Sequence, residues 1–267
     1  MPKFDANLSM LFTEHEFMDR FAAAARAGFT GVEYLFPYEY EAAEIARALR
    51  DAKLLQVLFN LPAGNWAAGE RGIACLPDRV AEFREGVATA IAYASALGCT
   101  RLNCLAGKRP AELAHDDAHR TFVENVRYAA SALERAGIAL VIEAVNTYDI
   151  PGFFLSRSEQ AFAVMAEVGS TNLSFQYDIY HMQRMEGELA ATLRANLPRI
   201  GHVQLADNPG RHEPGTGEIN YPFLFDVLDR AGYDGWIGCE YVPAAGTVAG
   251  LGWANAYLSA NAELERR

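Results

Sequence analysis

Short apolar runs that read as β-strands alternate along this chain with longer stretches in which apolar residues recur every three to four positions. KFDANLS precedes EHEFMDRFAAAARAG, where Phe17, Phe21 and Ala24 to Ala25 share a helical face and Gly28 supplies a stop. GVEYLF is followed by YEAAEIARALRDA, and LLQVLFNLP by a helix beginning near Val80. TRLNCLAG leads to a helix from about Asp117 to Ala136, IALVIEAVN to one over Ser158 to Val168, and LSFQYDIYH to one over Gln183 to Leu197. IGHVQLADN is followed by a helix over Tyr221 to Ala231, and WIGCEYVP by a C-terminal helix from about Val248.

Eight such pairs in 267 residues predict an α/β fold, a (β/α)8 TIM barrel forming a single domain over residues 1–267. An open doubly wound sheet is the alternative. Against it, no GxGxxG or GxxxxGK[ST] follows any strand, and polar residues fall at the ends of the late strands instead of at one switch point. One connection is irregular: AGNWAAGERGIACLPDR separates the third strand from its helix. A loop of this length (residues 61–80) in a compact domain is usually functional, and Trp66 with Gly64, Gly69 and Gly72 suggests a segment that closes over the barrel mouth.

Composition narrows the function. A hydrophobic share of 51% supports one large core, but the longest apolar stretches break within about a dozen residues, short of the roughly 20 needed to span a bilayer. The start MPKFDANLSM lacks a basic-then-apolar signal region, so no membrane partner and a cytoplasmic location are expected. Cys75, Cys99, Cys104 and Cys239 show no CxxC spacing and read as free thiols. The formal net charge of −11 opposes phosphate backbones, which argues against nucleic acid. Apolar residues on the outer helix faces leave room for a homo-oligomer.

The candidate chemistry sits at strand ends. Glu143, Asp178, Gln204 and Glu240 each stand in or at the end of a strand-like run, and parallel barrel strands bring such positions to one mouth. Alternation puts Val141 with Glu143, Gln176 with Asp178 and His202 with Gln204 on one inward face, leaving Ile142, Tyr177 and Val203 to pack outward. Three carboxylates and an amide oxygen form a hard donor set that suits Mg²⁺ or Mn²⁺ better than Zn²⁺. Taken singly, each acid reads equally well as a loop residue in an ion pair. His181, three residues past Asp178, could donate to a substrate oxygen or be a satisfied loop histidine. His202 lies one pleat deeper and reads first as a buried structural histidine. Arg211, within ADNPGRHEPGTGEIN, is a natural bidentate clamp for an anionic substrate. Arg71 and Glu70 in the long loop are further substrate-binding candidates, with Lys108 behind them.

The segments DANLSMLF, GVEYLFPYEY, NLPAGNWAAGERGIA, FQYDIYHMQRMEGE and HVQLADNPGRHEPGTGEINY together resemble the hydroxypyruvate isomerase family. That family includes a 2-oxo-tetronate isomerase branch and lies within the xylose-isomerase-like TIM-barrel superfamily; the similarity runs from about residue 3 to about 257. It implies a divalent metal held by Glu143, Asp178, Gln204 and Glu240, with Glu143 and Glu240 as the acid/base pair. The implied reaction interconverts hydroxypyruvate and 2-hydroxy-3-oxopropanoate by proton transfer through an enediolate, with no nucleotide cofactor. A four-carbon 2-oxo acid is the alternative substrate, and ketose 3-epimerisation a more distant one. The wider ketose 3-epimerases usually carry His at the position of Gln204 and a substrate arginine six residues later, where this chain has Gly210 followed by Arg211. The Asp178 to His181 spacing does match that wider pattern. An endonuclease-type phosphodiesterase would need several histidine ligands and a basic approach surface, and a non-catalytic sensor would be expected to lose Glu143 or Glu240.

Overall fold

A computed structural model describes residues 2–258. Eight parallel strands close into a barrel in chain order: β1 (Lys3–Asn7), β2 (Gly31–Glu33), β3 (Leu55–Asn60), β4 (Arg101–Cys104), β5 (Ala139–Glu143), β6 (Leu173–Asp178), β7 (Ile200–Leu205) and β8 (Trp236–Cys239), the last pairing with β1. Closure leaves no strand edge, so every ladder is satisfied internally. The helices around it are α1 (Phe17–Arg26), α2 (Ala42–Ala52), α3 (Val80–Leu97), α4 (His115–Arg135), α5 (Ser158–Val168), α6 (Ile179–Met185), α7 (Leu189–Asn196) and α8 (Tyr221–Ala231). The strand and helix alternation expected from the hydrophobic pattern is therefore the fold.

Two helices differ from the sequence expectation. The helix foreseen over Gln183 to Leu197 is two, because Gly187 and Glu188 both take left-handed φ values of 72° and 48°, which end a right-handed helix. The Glu186 side chain leaves that turn to accept hydrogen bonds from Ser158 N and Oγ at the start of α5. After β8, Val248–Ala254 is a 3-10 helix, and the part of the expected C-terminal helix past residue 258 lies outside the described residues.

The main core lies between barrel and helices. Ile142, Tyr177 and Val203 belong to it, as does an aromatic knot in which Phe4 meets Phe225 and Trp253 edge-on, each at 5.1 Å. The barrel interior is different: Val57, Leu58 and Val141 form a small apolar plug. The other inward positions are polar and buried, including Asp5, Asn7, Glu33, Asn103, Gln176 and His202. Burying so many polar groups is costly unless they bond one another, and that layer carries the site. No helix among the described residues is long and apolar enough to cross a membrane.

Candidate active site

Strand register explains the convergence. Glu143 is the last residue of β5 and lies level with Gln176 on β6, Asp178 on β6 pairs with Gln204 on β7, and Gln204 pairs with Gly238, two residues before Glu240. Glu143, Asp178, Gln204 and Glu240 are all buried at the C-terminal mouth, under a cavity of about 290 Å³ lined by Glu143, Gln204 and Glu240 with Arg71, His181 and Arg211. That volume sits at the small end of ligand sites, which run from about 300 to 1,000 Å³.

Each acid is held differently. Asp178 caps α6: its Oδ1 accepts from Tyr180 N at 2.7 Å and His181 N at 3.1 Å, while its buried Oδ2 has no partner. Glu143 Oε2 accepts from Asn103 Nδ2 at 3.0 Å. Burial, reinforced by the charges of Glu240 and Asp178, pushes Glu143 well above the usual carboxylate range. Glu240 Oε1 pairs with Arg211 Nη2 at 2.7 Å, and its Oε2 accepts from Asn7 Nδ2 at 3.1 Å and Gln204 Nε2 at 2.7 Å. Burial pushes Glu240 up to about 8, against the pull of Arg211.

His181 is buried on the first turn of α6, not on an open loop. Asn146 fixes its tautomer. The Asn146 oxygen accepts from Asp149 N, so the amide NH₂ faces the Asp149 carboxylate and His181 Nδ1, at 2.7 Å from the latter. Nδ1 therefore accepts and Nε2 carries the proton, 3.8 Å from Glu143 Oε1 and 3.7 Å from Asp178 Oδ2. Burial, with Arg211 nearby, holds its pKa well below the ordinary value, so the imidazole is a neutral donor.

Arg211 stands against three acids and is bonded to Glu240, so its charge is already engaged. Arg71 is different. Its guanidinium lies 4.0 Å over the Trp66 ring and donates to the backbone oxygens of Trp66 and Glu70, with no carboxylate partner among the described residues. Glu70 does not line the cavity: its carboxylate accepts from Arg79 and from Asn65 N and so braces the loop. Lys108 reaches Gly69 O at 3.4 Å, also outside the cavity. The loop itself is pinned near its middle, where Cys75 N bonds Ala106 O and Asn125 Nδ2 bonds Ala74 O.

The donor set fits a divalent cation: three buried carboxylates crowd one spot, and the unpartnered Asp178 Oδ2 points to a missing positive partner. Glu143, Asp178 and His181 also form one of two buried clusters with ligand-like spacing among the described residues; Asp5, Glu33 and His202 form the other, deeper in the barrel. Gln204 presents its NH₂ to Glu33 and Glu240 and its oxygen to Gln176. To offer that oxygen to a cation the amide would turn over, and Gln176 would turn with it, so that its Oε1, which has no hydrogen-bond partner, accepts the NH₂. Sequence reading passed over Asn7, Glu33, Asn103 and Asn146; Glu33 stands inside the apolar run GVEYLF, an acid within a strand-like segment as Glu143 is.

The chain belongs to the xylose isomerase-like TIM barrel family, whose model matches residues 21–257. Within that family it is 56% identical over 257 residues to a protein from Escherichia coli named hydroxypyruvate isomerase, covering 96% of this chain and 100% of the relative. A protein from Cupriavidus necator named 2-oxo-tetronate isomerase is 51% identical, with 97% and 99% covered. A crystal structure from Brucella melitensis, described as an AP endonuclease of family 2, matches with a TM-score of 0.94 at 46% identity, covering 96% of this chain and 99% of that one. The chain is an isomerase of the hydroxypyruvate isomerase-like kind.

Proposed function

We propose that this isomerase interconverts hydroxypyruvate and 2-hydroxy-3-oxopropanoate, moving a proton between adjacent carbons through an enediolate. The observation that carries the reading is that two buried glutamates, Glu143 and Glu240, border one small cavity that is lined also by an arginine, Arg71, with no acid partner among the described residues. Glu143 and Glu240 are the acid/base pair, and burial raises both above the ordinary carboxylate range. His181 Nε2 donates to the substrate oxygen on which negative charge develops. Arg71 receives the substrate carboxylate, and Arg211 exchanges part of its bond to Glu240 for a substrate oxygen. A divalent cation, Mg²⁺ or Mn²⁺, would be held by Glu143, Asp178 and Glu240, with Gln204 once its amide turns over. It would supply Lewis-acid stabilisation of the two adjacent oxygens. Trp66 and the loop tip keep water from the intermediate.

The cavity leaves room beyond a three-carbon acid, so a four-carbon 2-oxo acid is the second reading. A polymer is disfavoured by the small volume of the cavity and the net charge of −11. The test is NMR in D₂O with metal-loaded enzyme and hydroxypyruvate, a four-carbon 2-oxo acid and a neutral ketose in parallel. Carbon-bound deuterium with aldehyde formation, lost on chelation, is the expected result for a 2-oxo acid; turnover of the ketose alone would overturn the reading. Arg71→Lys keeps the charge but loses the fork, and is expected to raise KM for the acid about 10-fold with a smaller change in kcat. An unchanged KM in steady-state kinetics would remove Arg71 from carboxylate binding.

A further inference from the structure

Glu33 ends β2, is fully buried, and does not line the cavity. Its surroundings are nonetheless built around it. Glu33 Oε1 accepts from Asn7 Nδ2 at 3.0 Å and from Gln204 Nε2 at 2.7 Å, and Oε2 lies 2.7 Å from His202 Nε2. The same two amide nitrogens donate to Glu240 Oε2. An NH₂ group has two hydrogens, and here each amide spends one on Glu33 and the other on Glu240. The result is a closed ring: Glu33, Asn7, Glu240 and Gln204.

Topology makes the ring. Asn7 lies level with Glu33 across β1 and β2, and on its other side β1 pairs with β8, which leads into Glu240. Asn7 cannot turn its amide over freely, because its oxygen accepts from Ser9 N at 3.0 Å. To reach Gln204 and His202 on β7, Glu33 must pass over β8, and β8 has Gly238 there. A Cβ at Gly238 would stand 2.5 Å from Glu33 Oε1, 2.6 Å from Oε2 and 2.7 Å from Cδ. Any larger residue would expel the carboxylate.

We propose that Glu33 is a positioning residue for Glu240, acting through Asn7, whose locked amide bridges the two carboxylates whichever way Gln204 is turned, with His202 and Gly238 holding Glu33 in place. It rests on the reading that Glu240 moves the substrate proton. The Asn7 bridge fixes Glu240 Oε2 and leaves Oε1 to face Arg211 and the cavity. Without Glu33 the Asn7 amide loses the acceptor that orients it, and the Glu240 carboxylate loses its aim.

The test uses metal-loaded enzyme and reads kcat, KM, metal affinity by calorimetry and the melting temperature. Glu33→Gln and Asn7→Ala are each expected to lower kcat about 10- to 100-fold, the usual cost of losing a supporting contact, with KM and metal affinity little changed. The double variant should lose little beyond the worse single, because both act through the one Asn7 bridge. In a Glu240→Gln background, Glu33→Gln should leave the residual rate unchanged. Multiplying losses, or an undiminished effect without Glu240, would overturn the proposal, as would an unchanged kcat. Should Glu33→Gln fail to fold, Asn7→Ala alone and in the Glu240→Gln background decides by the same criteria. A Glu240→Gln enzyme with full activity would instead defeat the functional reading on which the proposal rests.

Discussion

Glu143→Gln and Glu240→Gln are each expected to lower kcat by about 10³-fold or more at saturating divalent metal. Glutamine matches the shape of each side chain but cannot carry a proton to and from carbon. At Glu143 the amide could still meet Asn103, and at Glu240 its oxygen could still accept from Asn7 and Gln204, so the fold should survive. The two variants should not behave alike in D₂O. If one glutamate serves each carbon, the variant lacking the second base still exchanges the C3 hydrogens of hydroxypyruvate yet makes no aldehyde. The variant lacking the first base does neither from that side, but exchanges the C2 hydrogen of the aldehyde. NMR from both directions therefore assigns each glutamate to its carbon. Retention of aldehyde formation near the wild-type rate in either variant would remove that glutamate from the chemistry.

Glu143, Asp178, Gln204 and Glu240 were legible because each stands in or at the end of a strand-like run, and barrel closure alone brings such positions together. What supports them was harder to read. β2 is three residues long, too short for alternation to mark Glu33 as inward, and nothing local tells that Gly238 is small for the sake of a side chain 205 positions earlier in the chain. Glu70 had the right loop and the right charge, but its partner Arg79 lies nine residues on, a pairing that only the folded loop reveals. The break between α6 and α7 was hidden by good helix formers on both sides of Gly187. His181 was seen as a donor; its tautomer depends on Asn146 and Asp149, which no spacing connects to it.

Asp207→Asn is expected to cost about 3 kcal/mol of stability and to lower kcat/KM by about 10²-fold, although Asp207 touches no part of the cavity. It is fully buried, and its two oxygens accept from four backbone N–H groups: Asn208 and Ile219 on Oδ1, Gly215 and Gly217 on Oδ2. Those bonds gather residues 207–219 into one loop. Within it Arg211 sits at φ 54°, a left-handed conformation that a non-glycine residue holds only under constraint. The constraints are Arg211 N to Asp207 O, Val242 N to Arg211 O, and Asp207 N to His212 O. An asparagine would set its own NH₂ against two of the four N–H donors, since an amide has one acceptor atom where a carboxylate has two. The loop would then relax, Arg211 would fall back to a right-handed backbone, and its guanidinium would leave Glu240. For a domain of this size the stability loss corresponds to a melting temperature lower by roughly 6 to 12 °C. Kinetics taken well below that temperature separate the two effects. A loss of kcat/KM that persists in fully folded Asp207→Asn marks misplacement of Arg211, whereas normal kinetics in a less stable protein would confine Asp207 to holding the loop.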